Sequence, residues 1–152
     1  MTSFSKTLSL ILLSCCIFAP SGRFTIAQNG GSDFVIIVNP SVPGTQIREA
    51  ILKGIYLRDM VKWGNNNQDI VPVELEGDND VRAAFHSQLF NKTAAQMKAY
   101  WINLRLSKHV PMPVTEPNSA SAKKFVSQTA GAIAYIRPSD VDSSVKVLQL
   151  VR

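Results

Sequence analysis

The chain has 152 residues, 45% hydrophobic and 18% charged, with 8 glycines, 8 prolines and a formal net charge of +5. This composition is neither disordered nor collagen-like, and it holds enough apolar material for a core that needs no disulfide or metal. The two cysteines, Cys15 and Cys16, are adjacent and close to the N-terminus, which excludes thiol chemistry, a cysteine zinc site or a disulfide framework in the remainder.

Residues 1–27 read as a secretory signal. Lys6 supplies a positive n-region, residues 8–19 are an almost unbroken apolar run, and Pro20-Ser21-Gly22 breaks it. Thr25-Ile26-Ala27 then places small residues three and one positions before a cut after Ala27. The run is too short to span a membrane comfortably. A minor alternative is a lipoprotein signal, in which Leu12-Leu13-Ser14 precedes a lipid-accepting Cys15. Cleavage after Ala27 removes Lys6 and Arg23 and leaves 14 basic against 11 acidic residues, a charge of +3. That is too mild to argue for a nucleic-acid partner. A mature chain without cysteine suits an oxidising compartment, the periplasm or another exported location.

In the mature chain, residues 28–33 form a flexible Gly-rich leader, and residues 34–152 form one domain. Phe34-Val35-Ile36-Ile37-Val38 is a continuous apolar run closed by Asn39-Pro40, the pattern of a strand buried on both faces. Thr45 is the predicted N-cap of a helix reaching Met60, with Ile47, Ile51 and Ile55 four apart. Residues 64–67 make a turn. Ile70-Val71-Pro72-Val73 is a short strand, placed at a sheet edge or strand end by Pro72. Asp78 or Asp80 caps a second helix, ending near Leu89, that buries Val81, Ala84, Phe85 and Leu89. Thr93-Ala94-Ala95-Gln96 is a capping box opening a third helix that buries Met97, Tyr100, Trp101 and Leu104. Residues 108–118 contain Pro111, Pro113 and Pro117 and read as a loop. Ser119 or Ser121 caps a fourth helix that buries Ala122, Phe125 and Val126, stopped by Gly131. Residues 132–136 and 145–150 are two further strands. This alternation predicts an α/β three-layer domain.

The chemical motifs are sparse. No phosphate loop ending in Lys-Ser/Thr, no Gly-x-Ser-x-Gly elbow and no His-Glu-x-x-His helix occurs. His86 follows the buried Phe85 and is expected to face solvent, and His109 is expected on a surface loop. Glu74, Glu76, Asp78 and Asp80 cluster within seven positions and read as a solvated acidic turn that caps a helix. Acid/base chemistry on this cluster, as in a hydrolase, is a weaker reading. No metal site, cofactor or catalytic residue is assigned.

A family resemblance goes further. Arg48-Glu49-x-x-Leu52-x-x-Ile55-Tyr56-Leu57, then Trp63, then Val71-Pro72-Val73 is similar to a stretch of phosphate ABC-transporter substrate-binding proteins. Ala99-Tyr100-Trp101, the proline-rich loop, and Phe125-Val126-x-x-x-x-Gly131-Ala132-Ile133-Ala134-Tyr135-Ile136 resemble a later stretch of the same family. The resemblance runs from Phe34 to Leu148, and it covers one of that family's two lobes. It implies a periplasmic-binding-protein-like lobe, a mixed sheet flanked by helices, and a non-enzymatic domain binding phosphate or another small anion. The family's Ser-Gly-Thr ligand segment aligns here with Asn79, Asp80 and Val81, which retain no hydroxyl.

The expected site is therefore the loop and helix start at residues 78–82, facing Asn39 and Ser41 after the first strand. Ligands of open α/β sheets bind beyond the carboxyl ends of strands. Asn79 and the backbone N–H groups of Asp80 and Val81 would donate hydrogen bonds, and Arg82 would supply charge. The expected partners are a small anionic solute and an ABC transporter or another envelope protein. A protein-interaction or accessory module that kept the fold but lost the ligand site is the rival reading.

Overall fold

The computed structural model describes residues 33–64, 67–76 and 80–152. The expected signal, almost all of the leader, Asp78 and Asn79 lie outside the described residues.

The central sheet has six strands in the order β2-β8-β1-β7-β5-β6. They are β1 (Val35–Val38), β2 (Gln46–Arg48), β5 (Val71–Leu75), β6 (Val114–Glu116), β7 (Ala132–Ile136) and β8 (Lys146–Val151). A separate two-stranded ribbon pairs β3 (Lys62–Trp63) with β4 (Gln68–Asp69). The helices are α1 (Glu49–Tyr56), α2 (Asp80–Phe90), α3 (Ala94–Lys108) and α4 (Ser119–Gln128). The mixed α/β sheet read from the sequence is present.

β1 lies inside the sheet, antiparallel to both β7 and β8. Ile36, Ile37 and Val38 are almost fully buried, as a strand covered on both faces requires. β5 runs parallel to both β6 and β7. The crossovers β5-α2-α3-β6 and β6-α4-β7 travel in opposite directions across the sheet. Right-handed connection therefore puts α2 and α3 on one face and α4 on the other. Phe85 of α2 stacks on Tyr135 of β7, ring centroids 3.8 Å apart at 8°, and Tyr56 of α1 meets Phe85 at 4.8 Å.

Several expected elements are redrawn. α1 starts at Glu49, not after Thr45, because Ile47 belongs to β2, whose parallel pairing with β8 claims Gln46–Arg48. The Thr45 carbonyl accepts the Gln149 N–H instead of opening a helix. Of the two places expected for Pro72, the strand end holds and the sheet edge does not: it is the second residue of β5, a strand inside the sheet. Val71 N–H bonds to Gly131 on the β7 side, so alternation turns the donorless Pro72 nitrogen toward β6, whose pairing begins only at Val73. The proline-rich loop contains β6, placed between Pro113 and Pro117. The N-cap of α4 is Asn118, whose side chain accepts from Ser121 N–H, and Phe125 is half-buried beside the core. The Thr93–Gln96 capping box forms as read, while Tyr100 and Leu104 are only half-buried.

Candidate functional site

β5 carries an acidic residue in its most buried stretch. Glu74 is 3% exposed, between Val73 and Leu75. Its Oε1 accepts from Arg82 Nε at 2.7 Å and from His86 Nε2 at 2.8 Å. Both donors come from α2, four residues apart and hence on one face of the helix. Glu74 Oε2 and His86 Nδ1 are buried with no hydrogen-bond partner. This corrects two expectations. His86 is fully buried rather than facing solvent, and Glu74 belongs to the interior rather than to a solvated turn.

Tyrosines and a tryptophan enclose the group. Tyr56 Oη donates to the Val73 carbonyl at 2.9 Å, and Tyr135 Oη accepts from Leu75 N–H at 3.4 Å. Burial, then the nearby Glu74 charge, holds both phenols well above the usual tyrosine value. Trp101 Nε1 donates to the Tyr56 carbonyl at 2.8 Å, and its ring meets His86 edge-on at 5.8 Å.

Above this cluster opens a cleft of about 370 Å³, lined by Glu74, Glu76, Arg82, Lys98, Trp101 and Thr115, with Met112 and Pro113 at one side. It lies against the parallel pair β5 and β6, where open α/β sheets hold ligands. Sequence reasoning missed most of this lining. The available signal was Glu74 itself, a charge within the apolar Val71–Leu75 strand.

The expected site residues do not all meet. Asp80 is exposed on the first turn of α2, and its Oδ1 pairs with Arg137 Nη2 at 2.5 Å. The Arg137 hydrogen bond holds the Asp80 carboxyl below its ordinary value. Val81 is buried, and Arg82 reaches back to Glu74. Asn39 and Ser41 lie at the opposite end of the sheet, because β1 is antiparallel to β7 while β5 is parallel to it. Asn39 Nδ2 there donates to the Val126 and Ser127 carbonyls at 2.8 and 3.1 Å, satisfying the last turn of α4, and its Oδ1 accepts from Ser41 N–H. Ser41 Oγ accepts from Gln68. The expected facing of Asn39 and Ser41 toward Asp80, Val81 and Arg82 is thereby corrected. His109 is exposed, as expected, and ends α3 in the left-handed conformation at φ 57.

Among the described residues, no cluster of three or more His, Cys, Asp or Glu is arranged to hold a metal ion. No helix among them is long and apolar enough to cross a membrane.

A mixed sheet wrapped by helices, with a cleft along its parallel strands, is the architecture of one lobe of a periplasmic-binding-protein-like domain. No protein-family model matches the sequence, and no curated protein matches it. Solved structures do. An ABC-type phosphate transport receptor from Vibrio cholerae is 25% identical with a TM-score of 0.61, covering 78% of this chain and 46% of its own. A putative phosphate ABC transporter substrate-binding protein from Clostridium perfringens, solved with bound phosphate, is 23% identical at TM-score 0.64, covering 78% and 44%. PstS from Borrelia burgdorferi is 16% identical at TM-score 0.61, covering 78% and 47%. The resemblance to phosphate ABC-transporter substrate-binding proteins holds in three dimensions, and this chain spans less than half the length of those structures.

Proposed function

We propose that this chain is an exported, non-enzymatic binding domain for a small solute, an anion such as phosphate, taken up at the first turn of α2 and the adjoining cleft. The observation that carries the reading is the shared fold with the Vibrio cholerae receptor at 25% identity. Asn79 and the Asp80 and Val81 backbone N–H groups are the proposed donors, since the first N–H groups of a helix lack intrahelical partners and the dipole favours negative charge there. Arg82 contributes charge from the wall of the cleft, and Asn39 and Ser41 have no part in this site. Export rests on residues 1–27, with mature protein beginning at Gln28. An ABC transporter or another envelope protein is the proposed partner. Titration calorimetry of the purified protein with phosphate and with sulfate tests the reading. Saturable heat with either supports it, and silence from both at millimolar concentration overturns it. Intact mass of the exported protein tests processing, and a lipid-modified Cys15 would replace the cleaved signal.

A further inference from the structure

α3 is apolar on two faces. Met97 and Trp101 point into the core. On the other side Ala95, Ala99, Ile102 and Leu106 recur three and four apart, so they form one stripe along the helix. All four are exposed, Ile102 at 41% and Leu106 at 74%. Within its 15 residues α3 has no carboxylate and three cations, Lys98, Arg105 and Lys108. Lys98 and Arg105 are seven apart and flank one edge of the stripe. Past Leu106 the surface continues as an open groove of about 590 Å³, walled by Val110, Pro111 and Met112.

We propose that this face of α3 docks on an anionic lipid surface. Leu106 and Ile102 enter the boundary between headgroups and acyl chains, while Lys98 and Arg105, along one edge of the stripe, meet lipid phosphates. An exposed apolar stripe edged with cations binds anionic bilayers through apolar burial and charge together. Two aliphatic side chains and two alanines fall well short of the roughly 800 Å² that each partner buries in a stable protein interface. A second copy placed face to face would set cationic edges against each other. The proposal does not depend on the solute reading.

The test uses protein beginning at residue 28, which retains every residue of the described fold and lacks the apolar run of residues 8–19. It is floated with phosphatidylcholine vesicles and with phosphatidylcholine–phosphatidylglycerol vesicles, beside Leu106→Glu and Arg105→Glu. The parent should bind only the mixed vesicles and release as salt rises. Each variant should bind on the order of tenfold more weakly. Both side chains are exposed, so thermal unfolding should match the parent. If either variant melts early, Leu106→Gln and Arg105→Gln replace them. Equal binding to both vesicles, no binding, or variants that bind like the parent would overturn the proposal. So would a concentration-dependent dimer that Leu106→Glu abolishes, which would give the face to a second copy.

Discussion

Glu74 and His86 are bonded to each other at 2.8 Å, and both are almost inaccessible to water. A buried carboxylate is retained only when its charge is met, and here one oxygen meets Arg82 and His86 together. Removing the shared acceptor should therefore cost more than removing one donor. Glu74→Ala is expected to lower stability by about 3–5 kcal/mol. His86→Leu should cost less, because Glu74 keeps Arg82. Urea midpoints on the three proteins give the order, and a larger loss in His86→Leu would show that His86, not the carboxylate, organises the cluster.

This pair also shows where the sequence was silent. Phe85 and His86 are neighbours about 100° apart on α2, so a stripe drawn through Val81, Phe85 and Leu89 leaves His86 just outside. The helix in fact buries a wider arc, because α3 covers its second side and brings Trp101 against His86. β1, β7, β8 and the capping box were legible because their patterns are local and repeat several times. β2, β3, β4 and β6 have two or three residues each, too few for a period to register, and exist through pairing with distant segments. Strand direction is likewise set by tertiary pairing. Asn39 and Asp80 each follow the carboxyl end of a strand, yet those ends lie on opposite sides of the sheet.

Trp101 ties α3 to α1 through the Tyr56 carbonyl while its ring fills the core at 2% exposure. Trp101→Ala should destabilise by about 3–5 kcal/mol through lost apolar burial and the cavity left behind. Trp101→Phe should lose less, since most of the ring volume stays and only the hydrogen bond goes. Thermal unfolding of the pair checks this. A Trp101→Ala protein that melts with the parent would mean that α3 is held by other contacts.

Gly131 occupies φ +77, and its carbonyl accepts the Trp63 indole N–H at 2.8 Å. A Cβ placed there would stand 2.1 Å from the Asp69 carbonyl oxygen, which is backbone and cannot swing aside. Left-handed strain alone costs roughly 1–3 kcal/mol in a non-glycine residue, and the collision adds to it. Gly131→Ala should be among the most damaging small substitutions, and its fluorescence should report Trp63 moving into water. An unchanged melting temperature would contradict the close approach of the β3–β4 ribbon.

Tyr56 and Tyr135 set an alkaline limit. Burial raises both phenols above their ordinary value, so the folded state holds its protons more tightly than the unfolded chain does. The associated stability is complete below the unfolded tyrosine value of about 10 and is lost as pH rises beyond it. Melting temperature should therefore be flat with respect to these groups up to about pH 9, then fall. Tyr135→Phe should shallow the decline, because one of the two phenols no longer contributes. An equally steep decline in that variant would assign the alkaline transition to other groups.

The proposed anion site makes the sharpest demand on the first turn of α2. Asp80 places a carboxylate there, paired with Arg137 at 2.5 Å, and that hydrogen bond holds its pKa below the ordinary value. An arriving phosphate would meet this charge before reaching the helix N–H groups. Asp80→Ser should strengthen phosphate binding several-fold, since it removes a like charge, places a hydroxyl at the helix start and releases Arg137 from its carboxylate partner. Ser also suits a helix start, so the fold should survive. Arg82→Ala should act in the other direction, because a hydrogen bond to a charged group contributes about 1.5–3 kcal/mol. Its Nε also bonds Glu74, so that variant is read only after circular dichroism shows an intact fold. Calorimetric titration of the three proteins with phosphate and sulfate then decides. Tighter binding in Asp80→Ser together with weaker binding in Arg82→Ala places the anion at the start of α2. Binding that neither substitution changes would move the ligand elsewhere in the lobe.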